Sequence, residues 1–78
     1  VKEERLEAII NIEDRISYFQ DLLKNQAKIN FSEIIRASQS KTEKIVNFLA
    51  VLELAKQREL VFEQEEIFSE IIINKISE

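Results

Sequence analysis

Any chemistry in this chain has to be done with carboxylates, lysines, one tyrosine and a few hydroxyls, because its 78 residues include no His, Cys or Gly. Without His the commonest general base near neutral pH is missing. Without His and Cys the usual soft-metal ligands go too, and without Gly no phosphate-cradling loop can be built. The adjacent Glu65 and Glu66 are the remaining pair that could act on a glycosidic bond or hold a hard cation. With 15 acidic residues in the chain, such a pair is an ordinary feature of a solvated surface. No catalytic, cofactor-binding or metal-ligating residue is assigned, and a non-catalytic protein is expected.

The residues that could do something else are apolar. Between Thr42 and Gln57, Ile45, Phe48, Leu49, Leu52 and Ala55 cluster within about a third of a helical circumference and form an ordinary core face. Val46, Ala50, Val51 and Leu54 lie outside that arc, which leaves only Asn47, Glu53 and the two ends polar. A helix apolar nearly all round is buried nearly all round, by its own domain or by a partner. Burying Val46, Val51 and Leu54 against a partner is worth roughly 1.5–3 kcal/mol each before association costs. The expected partner-binding residues are therefore Val46, Ala50, Val51 and Leu54, with Ile35 nearby. Phe68 joins them from the segment that follows, where packing against the third helix is equally open to it.

These residues need elements to hold them. Asn11 can cap a first helix over about 12–25, with Glu13 and Asp14 in its first turn. Its apolar face is Ile12, Ile16, Phe19 and Leu23 at i, i+4, i+7 and i+11, widened by Leu22. Ser32 is the expected N-cap of a short second helix carrying Ile34, Ile35 and Ala37. Ser40-Lys41-Thr42-Glu43 matches the capping box, in which Ser and Glu satisfy each other's backbone N–H groups, and opens the third helix. After Arg58 the period changes from 3.6 to 2, predicting strands over Leu60–Gln64 and Ser69–Asn74 joined by Glu65-Glu66-Ile67-Phe68. Three helices followed by a two-stranded β-hairpin describe an α+β winged helix, spanning residues 12–78. Residues 1–11 are expected to be an extended entry segment at the end of a linker, with a short N-terminal strand as one form it could take.

The length supports one domain with a marginal core, burying roughly 60% of its unfolded surface. At 45% hydrophobic and 33% charged the composition is that of a globular protein. No apolar run approaches the ~18 residues of a membrane span, and Val1-Lys2-Glu3-Glu4 does not open a signal peptide. The lack of cysteine suits a reducing compartment, so a cytoplasmic location is expected. A start at Val rather than Met suggests a fragment of a longer chain.

Winged helices commonly bind DNA, so a DNA-binding transcriptional regulator is the alternative function. The third helix is mildly favourable, with Lys41, Lys44, Lys56 and Arg58 against Glu43 and Glu53. The wing is not. Residues 59–70 hold Glu59, Glu63, Glu65, Glu66 and Glu70 with no basic residue, a net charge of −5 from five carboxylates. Phosphates repel such a wing, and the helix is mostly aliphatic where base edges call for Arg, Asn or Gln.

Three stretches together resemble one family: Ile12-Glu13-Asp14-Arg15-Ile16, Phe48-Leu49-Ala50-Val51-Leu52-Glu53-Leu54, and Phe62-Glu63-Gln64-Glu65-Glu66-Ile67-Phe68-Ser69-Glu70-Ile71. They are similar to the C-terminal winged-helix domain of segregation and condensation protein A, the bacterial kleisin, over about residues 12–73. The layout also looks like that of eukaryotic cohesin kleisins. This chain departs from the family pattern at Ile67, where Pro is common, and at Ser69, where Gly is common. Both changes bear on the hairpin turn and leave the flanking strands intact. The resemblance implies a domain that docks on the head of an SMC ATPase and helps close a ring for chromosome condensation and segregation, and it is the match of Gln64 to the family motif that adds this residue to the expected partner-binding set. It implies that a segregation and condensation protein B dimer binds other parts of the full-length chain. It further implies that DNA is held only indirectly by the ring, in a nucleoid-associated complex with no membrane involvement.

Overall fold

The computed structural model describes residues 11–76, so the expected entry segment over residues 1–10 lies outside the described residues. The first helix, α1 (Ile12–Asn25), starts where the sequence places it. The Asn11 side chain accepts a hydrogen bond from the Glu13 N–H at 2.7 Å. Phe19 and Leu23 are its buried residues, Ile16 and Leu22 pack beside them, and Ile12 lies at the exposed end of the stripe.

A three-residue strand, β1 (Lys28–Asn30), comes next and was not expected. The second helix, α2 (Phe31–Ala37), is capped by Asn30, whose side chain accepts from the Glu33 N–H at 3.1 Å. Ser32, the expected cap, instead accepts a hydrogen bond from the Ile71 N–H at 2.9 Å and ties α2 to the far end of the wing. The third helix, α3 (Lys41–Lys56), opens on Ser40 as the capping box requires, with Ser40 Oγ accepting from the Glu43 N–H at 3.0 Å. The Glu43 carboxylate reaches one residue further back than in the standard box, to the Gln39 N–H at 2.8 Å.

A chain without glycine must end α3 with an ordinary residue. Arg58 takes the left-handed conformation, at φ 64°. Its N–H bonds to the Ala55 carbonyl at 3.0 Å, and the Glu59 N–H bonds to the Leu54 carbonyl at 2.9 Å. That pair of bonds is a Schellman motif with arginine in the glycine position, at a cost of about 1 kcal/mol.

The two wing strands are β2 (Leu60–Glu63) and β3 (Ile72–Lys75), so β3 begins three residues later than the β-rich composition suggested. The sheet has the order β1-β3-β2, antiparallel throughout. Ile29, Ile73 and Phe62 lie opposite one another across its three strands. Together the helices and sheet form an α+β fold with the arrangement of a winged helix. Residues from all six elements meet in one core: Phe19, Leu23, Ile29, Phe31, Ala50, Val51, Leu54, Leu60 and Ile73.

The main correction concerns which arc of α3 faces inward. Ala50, Val51 and Leu54, expected at a partner surface, are 0% exposed. Ile45, Phe48, Leu49 and Leu52, expected in the core, are 40–50% exposed. The buried arc is Asn47, Ala50, Val51 and Leu54, an i, i+3, i+4, i+7 stripe that a polar first member conceals. Asn47 is 1% exposed and fully partnered: its Oδ1 accepts from Arg15 Nε at 2.6 Å and its Nδ2 donates to Ser38 Oγ at 2.9 Å. A buried amide with both ends satisfied carries little of the usual desolvation cost.

Candidate protein-docking surface

The outward stripe of α3 repeats the same spacing, with Ile45, Phe48, Leu49 and Leu52 at i, i+3, i+4 and i+7. Exposed lysines bracket it: Lys41 and Lys44 at one end, Lys56 at the other. Between this stripe and α2 runs a groove of about 530 Å³ lined by Phe31, Ile35, Ile45, Phe48, Leu49 and Ile71, with Arg36 and Lys44 also on its wall. The groove is continuous with the core through its aromatics. Half-exposed Phe48 lies 6.2 Å, centroid to centroid, from the ring of Phe31, which is 1% exposed. Phe31 in turn meets Phe19 at 6.1 Å and Phe62 at 6.4 Å. A side chain entering the groove therefore contacts a floor held rigid by the domain's own packing.

The wing's return limb is fastened to the groove wall. Arg36 makes a two-pronged contact with Glu70, Nη2 to Oε1 at 2.7 Å and Nη1 to Oε2 at 3.1 Å, while Asn30 Nδ2 donates to the same carboxylate at 3.1 Å. The hydrogen bond from Arg36, then that from Asn30, holds the Glu70 carboxyl down to about 2, well below the usual carboxylate range. On the sheet's outer face, Glu63 accepts from Asn74 at 2.6 Å and sits 3.9 Å from Lys28 Nζ. Glu59 accepts from the Gln20 side chain at 3.1 Å. Neighbouring elements thus engage Glu59, Glu63 and Glu70, and leave Glu65 and Glu66 at the tip. No residue of the wing between 59 and 70 offers a cation to a phosphate. Among the described residues no group of three carboxylates stands close enough to hold a metal ion, and no helix is long and apolar enough to cross a membrane.

The expected site residues fall into three places. Ile35 is half-buried on the groove wall and Val46 half-buried beside the core stripe, whereas Ala50, Val51 and Leu54 have no surface to offer. Gln64 is exposed, but its amide is engaged within the wing, donating to the Ser69 carbonyl at 2.9 Å. Phe68 is 97% exposed at the wing tip and packs on nothing. The outward α3 residues were missed as surface. The flanking lysines at 41, 44 and 56 were the available signal, since charge at both ends of an apolar stripe marks a face that borders water.

The model of the family described as segregation and condensation protein ScpA matches residues 1–76. A segregation and condensation protein A from Clostridium perfringens is 38% identical over 65 residues, covering 83% of this chain and 26% of the relative. One from Bacillus velezensis is 46% identical over 65 residues, covering 82% of this chain and 26% of the relative. One from Clostridium acetobutylicum is 36% identical over 69 residues, covering 88% and 28%. The chain thus spans about a quarter of the length of the curated relatives it matches. On that match, running nearly end to end, the chain belongs to the segregation and condensation protein A family.

Proposed function

We propose that this chain is the docking domain through which a segregation and condensation protein attaches to the head of an SMC ATPase. In that assembly it is a non-catalytic clamp: ATP hydrolysis belongs to SMC, a segregation and condensation protein B dimer binds elsewhere on the full-length chain, and DNA is enclosed by the closed ring. Its place is then the cytoplasm, at the nucleoid.

One observation carries the reading. Ile45, Phe48, Leu49 and Leu52 form a 40–50% exposed stripe beside an apolar groove. A contiguous exposed apolar stripe of this kind is often a functional contact surface. About half of each side chain remains to be buried, worth roughly 1 kcal/mol apiece and more at the groove, before association costs. Ile35 contributes the opposite groove wall. The lysines at 41, 44 and 56 favour an acidic surround on the head.

The test is retention of the full-length protein by its cognate SMC head, for wild type and for Leu49→Glu and Leu52→Glu. Both variants should lose retention while keeping the wild-type circular dichroism spectrum. Undiminished retention of both rules out this face. Duplex DNA binding by the chain alone, with a log–log salt slope of several units, supports the regulator reading in its place.

A further inference from the structure

The most exposed large apolar side chains among the described residues are not in the groove. They are Ile67 and Phe68 at the wing tip, 80% and 97% exposed. Phe68 has φ 72°, the left-handed region that glycine or asparagine occupies at least cost. A tight turn holds it there: the Ser69 N–H bonds to the Glu66 carbonyl at 3.0 Å, and the Glu66 N–H bonds to Ser69 Oγ at 3.0 Å. Ser69 Oγ donates to the Glu66 carbonyl at 2.7 Å, and Gln64 Nε2 braces the turn through the Ser69 carbonyl at 2.9 Å. The position favours glycine for folding, yet the chain places there a phenyl ring that touches nothing.

We infer that the wing tip is a preorganised second anchor, with Phe68 and Ile67 inserting into an apolar pocket on the partner that is rimmed by basic residues. Preorganisation is of the main chain: the turn fixes the backbone at residue 68, so docking has only the exposed ring left to order. The basic rim follows from charge. Glu65 and Glu66 flank the tip, and no ion pair among the described residues engages either. The tip and the α3 stripe therefore ask for opposite surroundings, basic at one and acidic at the other, which fixes the orientation of the docked domain. Phe68 is three residues from Ile71 on the groove wall, within ~10 Å of chain, so one interface of ordinary footprint covers both. In this scheme Gln64 is a positioning residue, acting through the turn and not through contact.

The inference rests on the SMC head being the partner, and the experiment separates the two. Affinity of the full-length protein for the SMC head is measured for wild type, Phe68→Gly, Arg58→Gly and Glu65→Lys/Glu66→Lys. Phe68→Gly should weaken binding about 30-fold, the scale of a buried aromatic hot spot, while leaving the melting temperature unchanged or higher. Arg58→Gly relaxes the other positive φ and should likewise hold or raise stability, with affinity within twofold of wild type. The double lysine variant should slow association about tenfold at low salt. Wild-type binding that Phe68→Gly leaves within twofold overturns the anchor. Wild-type binding that the double lysine variant speeds overturns the basic rim. Absence of wild-type binding overturns the docking reading and the anchor with it.

Discussion

Replacing Leu54 by alanine should be far more damaging than the same change two residues earlier, at Leu52. Both leucines sit on α3, both belong to the apolar run, and helix propensity changes equally in the two variants. They differ in burial: Leu54 is 0% exposed and Leu52 40%. Truncating a fully enclosed leucine removes its transfer free energy and leaves a cavity, for a loss of about 3 kcal/mol. Truncating Leu52 opens no enclosed cavity and costs about 1 kcal/mol. A domain of this length has roughly 4–12 kcal/mol of total stability, so the first change removes a large share of it. In melting temperature the two correspond to drops of ~12–24 °C and ~4–8 °C. The chain lacks tryptophan, so thermal and urea unfolding are best followed by far-ultraviolet circular dichroism. Equal losses, or a larger loss for Leu52→Ala, would refute the assignment of the inward arc and every surface argument that depends on it. The same reasoning makes Leu54→Glu a test of folding, not of docking.

Two further outcomes follow from the polar contacts. Asn47→Ala leaves Arg15 Nε without its acceptor and removes one bond from Ser38 Oγ, which keeps the Ile34 carbonyl, and should cost about 1–3 kcal/mol; the double variant with Arg15→Ala should lose less than the sum of the singles, read as a coupling in urea melts. Glu70, with its carboxyl held down to about 2 from a usual 4.5, stabilises the fold above about pH 4.5 and loses that contribution as pH falls toward 2. The stability gap between wild type and Glu70→Gln should therefore be open at neutral pH and closed near pH 2. A gap that stays constant with pH would remove the Arg36 contact as its source. The gap should also be small, since both side chains are about half exposed.

Local signals explain what could be read early. Asn11 before an acidic first turn and the Ser40–Glu43 box are short-range devices, so the starts of α1 and α3 needed no tertiary partner. The alternation after Arg58 located the wing, because half-buried strands carry a period of two whatever they pack on. The strand β1 was not legible, since Lys28-Ile29-Asn30 has too few residues to show a period. It is a strand only because β3, more than 40 residues later, bonds to it. Ser32 was misread for a related reason. Its hydroxyl is used by Ile71, which comes near only in the folded chain.

The sequence by itself determined the class of element at most positions, an acidic wing unsuited to phosphate, and a third helix too apolar for one face. It also carried the segments from Ile12 to Ile71 that mark the family. Tertiary structure decided which side of that helix faces the core and which faces solvent. Two i, i+3, i+4, i+7 stripes compete on α3, and hydropathy prefers the wholly apolar one. The fold chose the other, because Arg15, 32 residues away, and Ser38 converge on Asn47 and remove the cost of burying an amide. No reading of α3 alone contains that information. It arises where three segments meet.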